Sequence, residues 1–280
     1  MLINNRIIWE DDATLRDISK QLNDVFANTV TFAYVTADDY LYIGSELPFN
    51  HRYFDVGSTP NAVAATVSVS IWDGNAWNAA VDVIDETASA AGASLAQDGI
   101  IRWATDRYKT WCMEQSTEDI PALSTLKIYN KYWVRLSWSA TLTAGTILNY
   151  IGHKFSDDTS LGAYYPDLVR SDIIGAYASG KTNWHEQHVL AAEEVVSNLE
   201  KRDHIWTPDQ IMNPEVLERA AIHKCAAIIM RGFGNDYAQL KANAEVDFKT
   251  EMDSIYAQYD SNENGHMDIQ EKARIGGLYR

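Results

Sequence analysis

Residues 260–271 read Asp260-Ser261-Asn262-Glu263-Asn264-Gly265-His266-Met267-Asp268-Ile269-Gln270-Glu271, which places oxygen-bearing side chains at the spacing of a calcium loop. Asp260, Asn262 and Asn264 fall at the first, third and fifth positions, and Asp268 and Glu271 at the ninth and twelfth. A hard cation takes about six to eight oxygens. Side chains at alternate positions supply the first of them, the main-chain carbonyl of His266 another, and Glu271 two more if its carboxylate is bidentate. Gly265 at the sixth position permits the sharp turn that aims them inward, and Met267 is an apolar anchor. Among the ligand candidates only Asp260, Asp268 and Glu271 are acids, and the expected role is a structural Ca2+ rather than a sensor. A sensor would also need a second loop and a longer exit helix, whereas Gly276-Gly277 closely follow the loop. The plainer alternative is a solvated acidic turn.

Other chemistry-bearing residues are sparser. His185 and His188 share a helical stretch with Glu186 between them, but not at His-Glu-x-x-His spacing, and they read as polar residues at a helix start. Trp72, Trp77, Trp103, Trp111, Trp133 and Trp138 would stack on sugar rings if exposed and fill a core if not. The paired acids Asp85-Glu86 and Asp157-Asp158 would need unequal environments to act as acid and base, and only they suggest a hydrolase. There is no phosphate-cradling glycine loop, nucleophile elbow or cysteine–histidine arrangement, so no enzyme is expected. Two distant cysteines, Cys112 and Cys225, exclude a disulfide scaffold and fit a reducing compartment.

The elements that position these residues divide in two. Leu15, Ile18, Leu22 and Phe26 recur at helical spacing near the start. From residue 29 to 151 the period becomes two: strands are predicted at 29–35, 40–44, 63–72, 77–84, 99–103, 132–138 and 145–151. The Asp73-Gly74 step marks a hairpin. Short strands with Gly and Asp turns predict an antiparallel β-sandwich over 1–151. Residues 152–182 look irregular and are read as a linker. From Asn183 the period is helical. Asn183-Trp184-His185-Glu186 reads as a capping box, Thr207-Pro208 and Asn213-Pro214 as further starts, and Gly232 as a stop. A long helix is predicted from about 235 to 259, with Tyr237, Leu240, Ala244, Phe248, Met252, Ile255 and Tyr259 on one face. The fold class is therefore α+β: an N-terminal antiparallel β-sandwich, then a helical bundle over 183–272 and an extended tail over 273–280.

The net charge is −16. Before residue 183 there are 13 basic and 22 acidic residues, and after it 10 and 17, giving −9 and −7. Neither part suits gripping nucleic-acid phosphates, which takes lysine and arginine. The start, Met1-Leu2-Ile3-Asn4-Asn5-Arg6, lacks a signal-peptide apolar core, and no apolar run reaches membrane-spanning length, so synthesis in the cytoplasm and no membrane are expected.

The helices from Asn183 to Tyr259, followed by Ala273-Arg274-Ile275-Gly276-Gly277-Leu278-Tyr279-Arg280, resemble the head–tail connector (adaptor or neck) proteins of tailed bacteriophages. The resemblance covers the C-terminal third and is one of pattern. The β-rich segments Leu41-Tyr42-Ile43-Gly44, Ile71-Trp72-Asp73-Gly74-Asn75-Ala76-Trp77 and Tyr132-Trp133-Val134-Arg135-Leu136 are similar to β-domains of phage virion proteins. The resemblance implies a structural virion protein at the head–tail junction, assembled with itself as a dodecameric ring under the portal protein. Other neck or tail proteins would touch it, and DNA would pass through the lumen without specific binding. The tail would dock into the portal, with Ile275, Leu278 and Tyr279 as apolar anchors and Arg274 and Arg280 as charged ends. Plain connectors are little more than the bundle, and the added sandwich admits an alternative: a carbohydrate-binding or baseplate- or collar-associated virion module acting through its β-domain.

Overall fold

In the computed structural model, residues 5–24, 29–36, 39–106, 108–202, 204–255 and 257–266 are described. They fall into two compact units, one reaching Gly152 and including 260–266, the other running from His153 to Tyr259. Two antiparallel sheets make the first and most of the helices make the second, so the class is α+β.

The β-unit starts with a hairpin, β1 (Arg6–Asp11) and β2 (Thr14–Asp17), followed by α1 (Ser19–Leu22). The helical spacing of Leu15, Ile18 and Leu22 is thus divided between a strand and one helical turn, and Phe26 lies outside the described residues. Asp12 and Ala13 both take positive φ, 48° and 60°, which is the backbone of a tight two-residue hairpin. Ten strands follow: β3 (Val30–Thr31), β4 (Tyr40–Ser45), β5 (His51–Val56), β6 (Val67–Trp72), β7 (Trp77–Ala79), β8 (Val81–Asp85), β9 (Gly99–Ala104), β10 (Met113–Ser116), β11 (Tyr129–Trp138) and β12 (Ile147–Gly152). One sheet runs β2-β1-β4-β11-β6-β7, with β10 also on β11; the other runs β3-β12-β5-β9-β8. Residues 77–84, predicted as one strand, belong to both sheets. The chain changes sheet at Ala80, whose N–H is held by the Val69 carbonyl at 2.9 Å.

Alternation explains the core. Val134, Leu136 and Trp138 of β11 face inward with Leu41, Ile43, Val67, Val69 and Ile71, and meet Phe54, Ile101, Leu148 and Ile151 of the other sheet. The opposite face of β11 is covered too: Trp133 packs with Ile8, Tyr42, Trp72, Ile120 and Leu123. Ile120 and Leu123 belong to two short 3₁₀ turns, Thr117–Asp119 and Pro121–Leu123, and the residues beside them. The Trp133 ring lies over Gly44, where a Cβ would come within 2.9 Å of it. Strand β5 carries no apolar alternation. Its buried Arg52 donates to Asn5 Oδ1 at 2.8 Å and to the His51 carbonyl at 2.7 Å, and its guanidinium lies 3.7 Å from the Phe49 ring centre.

The helical unit contains α2 (Asp158–Tyr164) and α3 (Ser171–Tyr177) within the stretch read as irregular, then α4 (His185–Lys201), α5 (Glu218–Gly232) and α6 (Ala238–Ser254). Helix α5 is central and packs on both α4 and α6. Lys224 ties the three together: its stem is buried, and its ammonium lies 3.3 Å from Glu245, 4.0 Å from Glu194 and over the Phe248 ring. Helix α6 ends earlier than its periodicity suggested. Arg202 caps it, donating to the Met252 carbonyl at 2.7 Å and to Asp253 at 2.8 Å. Residues 257–259 then run extended, with Gln258 exchanging main-chain and side-chain hydrogen bonds with Met212 and Asn213.

Candidate functional site

The acidic turn follows directly. Asp260 is 1% exposed, and its carboxylate faces its own turn. Oδ1 accepts the N–H of Asn264 at 3.2 Å and Oδ2 that of Gly265 at 2.7 Å. Asn262 Oδ1 accepts from Asn264 N at 3.2 Å, and Asn264 Oδ1 from His266 N at 2.7 Å. Glu263 and Gly265 take positive φ, 59° and 77°, which closes the coil. Gly265 is buried against the β-unit. A Cβ there would lie 3.2 Å from Trp111 and 3.3 Å from Pro48, so glycine serves both conformation and packing.

The turn therefore gathers Asp260, Asn262, Asn264 and the His266 main chain, and it does so through main-chain N–H groups. These are four of the six positions at which the calcium-loop spacing expects an oxygen ligand. Asp268 and Glu271, the acids that would complete it, lie outside the described residues, as do Arg274, Ile275, Leu278, Tyr279 and Arg280. Among the described residues, no group of three or more His, Cys, Asp or Glu side chains is placed to hold a metal ion. Nearby, the Tyr132 hydroxyl is held un-ionised above its usual range, first by burial and then by the negative charges of Glu263 and Asp260.

A second polar cluster lies in the helical unit. Ser156 Oγ is 2.8 Å from His188 Nδ1, and His188 Nε2 is 3.1 Å from Asp158 Oδ1. Burial pushes the His188 pKa below its ordinary value, against the pull of Asp158, and Lys154 adds to the lowering. A neutral ring with a carboxylate on Nε2 carries its proton there, so Nδ1 accepts from the Ser156 hydroxyl. Lys154 Nζ and His185 Nδ1 are 3.1 Å apart alongside. Asp158 also accepts the Trp184 N–H at 3.2 Å. The polarity is that of a serine–histidine–aspartate relay. A nucleophile must present its oxygen to a substrate, however, and Ser156 is 4% exposed and His188 is 1% exposed. In this arrangement the cluster joins the start of α2 to the start of α4.

The same cluster corrects the expected capping box. Helix α4 starts at His185, and Asn183 Oδ1 accepts only the His185 N–H, at 3.2 Å. Glu186 pairs with Lys181 rather than reaching back to the cap. Capping boxes stand elsewhere, at the Thr207-Pro208 start, where Thr207 and Gln210 form one, and at α2: Asp157 Oδ1 accepts from Ser160 N at 2.7 Å, and Ser160 Oγ from Asp157 N at 3.0 Å. The sequence had offered Asp157-Asp158 as a loop pair. A serine three residues beyond the aspartate was the signal for a cap.

Five of the six sandwich tryptophans are buried. Trp138 Nε1 donates to Ser94 at 2.8 Å, and Trp72 Nε1 donates to Glu114. Trp77 is half-buried between Tyr42 and Trp72, with the Arg135 guanidinium 5.0 Å from its ring centre. These rings are core and hairpin packing rather than an open sugar platform. Large exposed apolar groups lie elsewhere: Trp206 at 79%, and Leu240 and Val246 on α6. Compared with protein-family models, curated proteins and solved structures, the chain matches none.

Proposed function

We propose that this chain is a structural subunit of a tailed-phage neck, forming the adaptor ring between the portal and the tail around the DNA path. The observation that carries the reading is helix α6. It buries only Ala244, Phe248 and Met252, and turns Leu240 and Val246 to solvent along a 17-residue helix. Val246 opposes the packed face and Leu240 lies at its edge, and apolar side chains left in solvent suit lateral contact with a neighbouring copy. The excess of acidic over basic residues suits a lumen that lets DNA pass without holding it. On this reading the acidic turn aims the tail, residues 273–280, at the partner it docks into. Asp260, Asn262, Asn264 and the His266 carbonyl, with Asp268 and Glu271, would hold one structural Ca2+, whose charge would offset the carboxylates gathered there.

The test is native mass spectrometry and negative-stain imaging of the full chain, alone and with the portal protein of the same virion. A ring that docks on the portal is expected. Val246→Glu, placed at a site 63% exposed, should leave the fold intact and weaken the ring. Removing residues 276–280 should leave the ring and abolish docking. A stable monomer that ignores the portal would overturn the reading.

A further inference from the structure

We propose that Asn264 is a site of spontaneous deamidation, and that the buried carboxylate of Asp260 gates the reaction. Asn264-Gly265 is the one Asn-Gly step in the chain. Its chemistry needs only water. The Gly265 main-chain nitrogen gives its proton to solvent and attacks Cγ of Asn264. A new C–N bond closes a cyclic imide, and the side-chain amide leaves as ammonia. Water then opens the imide at either carbonyl, giving aspartate or isoaspartate. Glycine on the attacking side removes the β-carbon that would hinder ring closure, and the Asn264 side chain is exposed to water.

The turn blocks both reacting groups. Gly265 N–H donates to Asp260 Oδ2 at 2.7 Å, so the nucleophile is engaged. The negative charge that develops on this nitrogen would form against a carboxylate shielded from water, and like charge disfavours that ionisation. A carboxylate is also far too weak a base to take the proton itself. On the other side, Asn264 Oδ1 accepts from His266 N at 2.7 Å, which fixes the side chain in its turn. The reaction therefore waits for the turn to open.

Once it occurs, the change is permanent. Isoaspartate reroutes the main chain through an added methylene immediately before Gly265. That residue is seated at φ 77° under Trp111 and Pro48, where even a Cβ would press on both at 3.2 and 3.3 Å. The altered chain does not re-form this seat, so a transient opening of the turn is converted into its lasting release.

The full-length protein is aged at neutral pH, and the peptide containing Asn264 is followed by mass spectrometry, with aspartate and isoaspartate separated by chromatography. The urea-unfolded chain gives the ungated rate. The folded wild type should react at least about tenfold more slowly than that, the factor one hydrogen bond to a charged group is worth. Asp260→Ala should approach the ungated rate. Asp260→Asn, which keeps a neutral acceptor and the shape of the turn, should fall between the two. Thermal melts confirm that the variants are folded, and if Asp260→Ala is not, Asp260→Asn decides. Asn264→Gln should remove the signal. Folded wild type reacting as fast as the unfolded chain, or Asp260→Asn reacting at the wild-type rate, would overturn the proposal.

Discussion

An imidazole as deeply buried as His188 favours its neutral form, because the loss of water around a charged ring outweighs the attraction of Asp158 and Asp157. Its pKa lies below the ordinary value near 6.5, first through burial. The unfolded chain therefore takes up a proton more readily than the folded one. By linkage, stability is full above about 6.5 and is lost as the pH falls below it toward the folded value. Histidine 223, also lowered by burial, pulls in the same direction. At neutral pH, His188→Asn should cost about 1–3 kcal/mol, the penalty for disturbing a buried hydrogen-bonded group. Its cost should shrink at pH 5.5, because the variant carries no proton-linked penalty at that position. Urea melts of both proteins at the two pH values measure this. A gap that widens on acidification would mean that His188 is stabilised in its charged form by Asp158 and Asp157.

The β1–β2 hairpin carries the next prediction. Ala13 sits at φ 60°, a conformation that costs a residue bearing a β-carbon about 1–2 kcal/mol. Glycine pays no such strain, although it adds freedom to the unfolded chain. Ala13→Gly should raise stability by a few tenths to about 1 kcal/mol, read as a higher melting temperature with β1–β2 pairing intact. The same residue explains a misread element. Asp12-Ala13 lacks the glycine that advertises a two-residue turn, so the spacing of Leu15, Ile18 and Leu22 pointed to a helix. Strand β5 was invisible for a related reason: the buried Arg52 is held by Asn5, which is distant in sequence, and alternation cannot register that. Strands β4, β9, β11 and β12 were legible because their alternation coincides with a two-sided core. Among the site residues, the turn was legible from spacing alone, but the inward rotation of the Asp260 carboxylate was not. The Ser156–His188–Asp158 chain had no sequence signal, since folding brings two separate stretches together.

At the scale of the whole molecule, charge and assembly oppose each other. Each copy carries −16. Bringing such copies together in the proposed ring would work against their mutual repulsion, which reaches over a Debye length of ~30 Å at about 0.01 M salt and ~10 Å at about 0.1 M. The α6 residues offered for lateral contact, Leu240 and Val246, are apolar, and apolar contact does not weaken with salt. Self-association of the purified chain should therefore strengthen as ionic strength rises, in contrast to an interface built on ion pairs. Sedimentation velocity across a salt series at fixed protein concentration distinguishes the two. Oligomers that dissociate with added salt would place the contacts on charged pairs and remove α6 as the lateral surface. The Val246→Glu variant sharpens the comparison. It adds a charge and removes an apolar contact at one exposed position, so its deficit should be only partly rescued by salt, because screening removes the added repulsion but does not replace the lost burial.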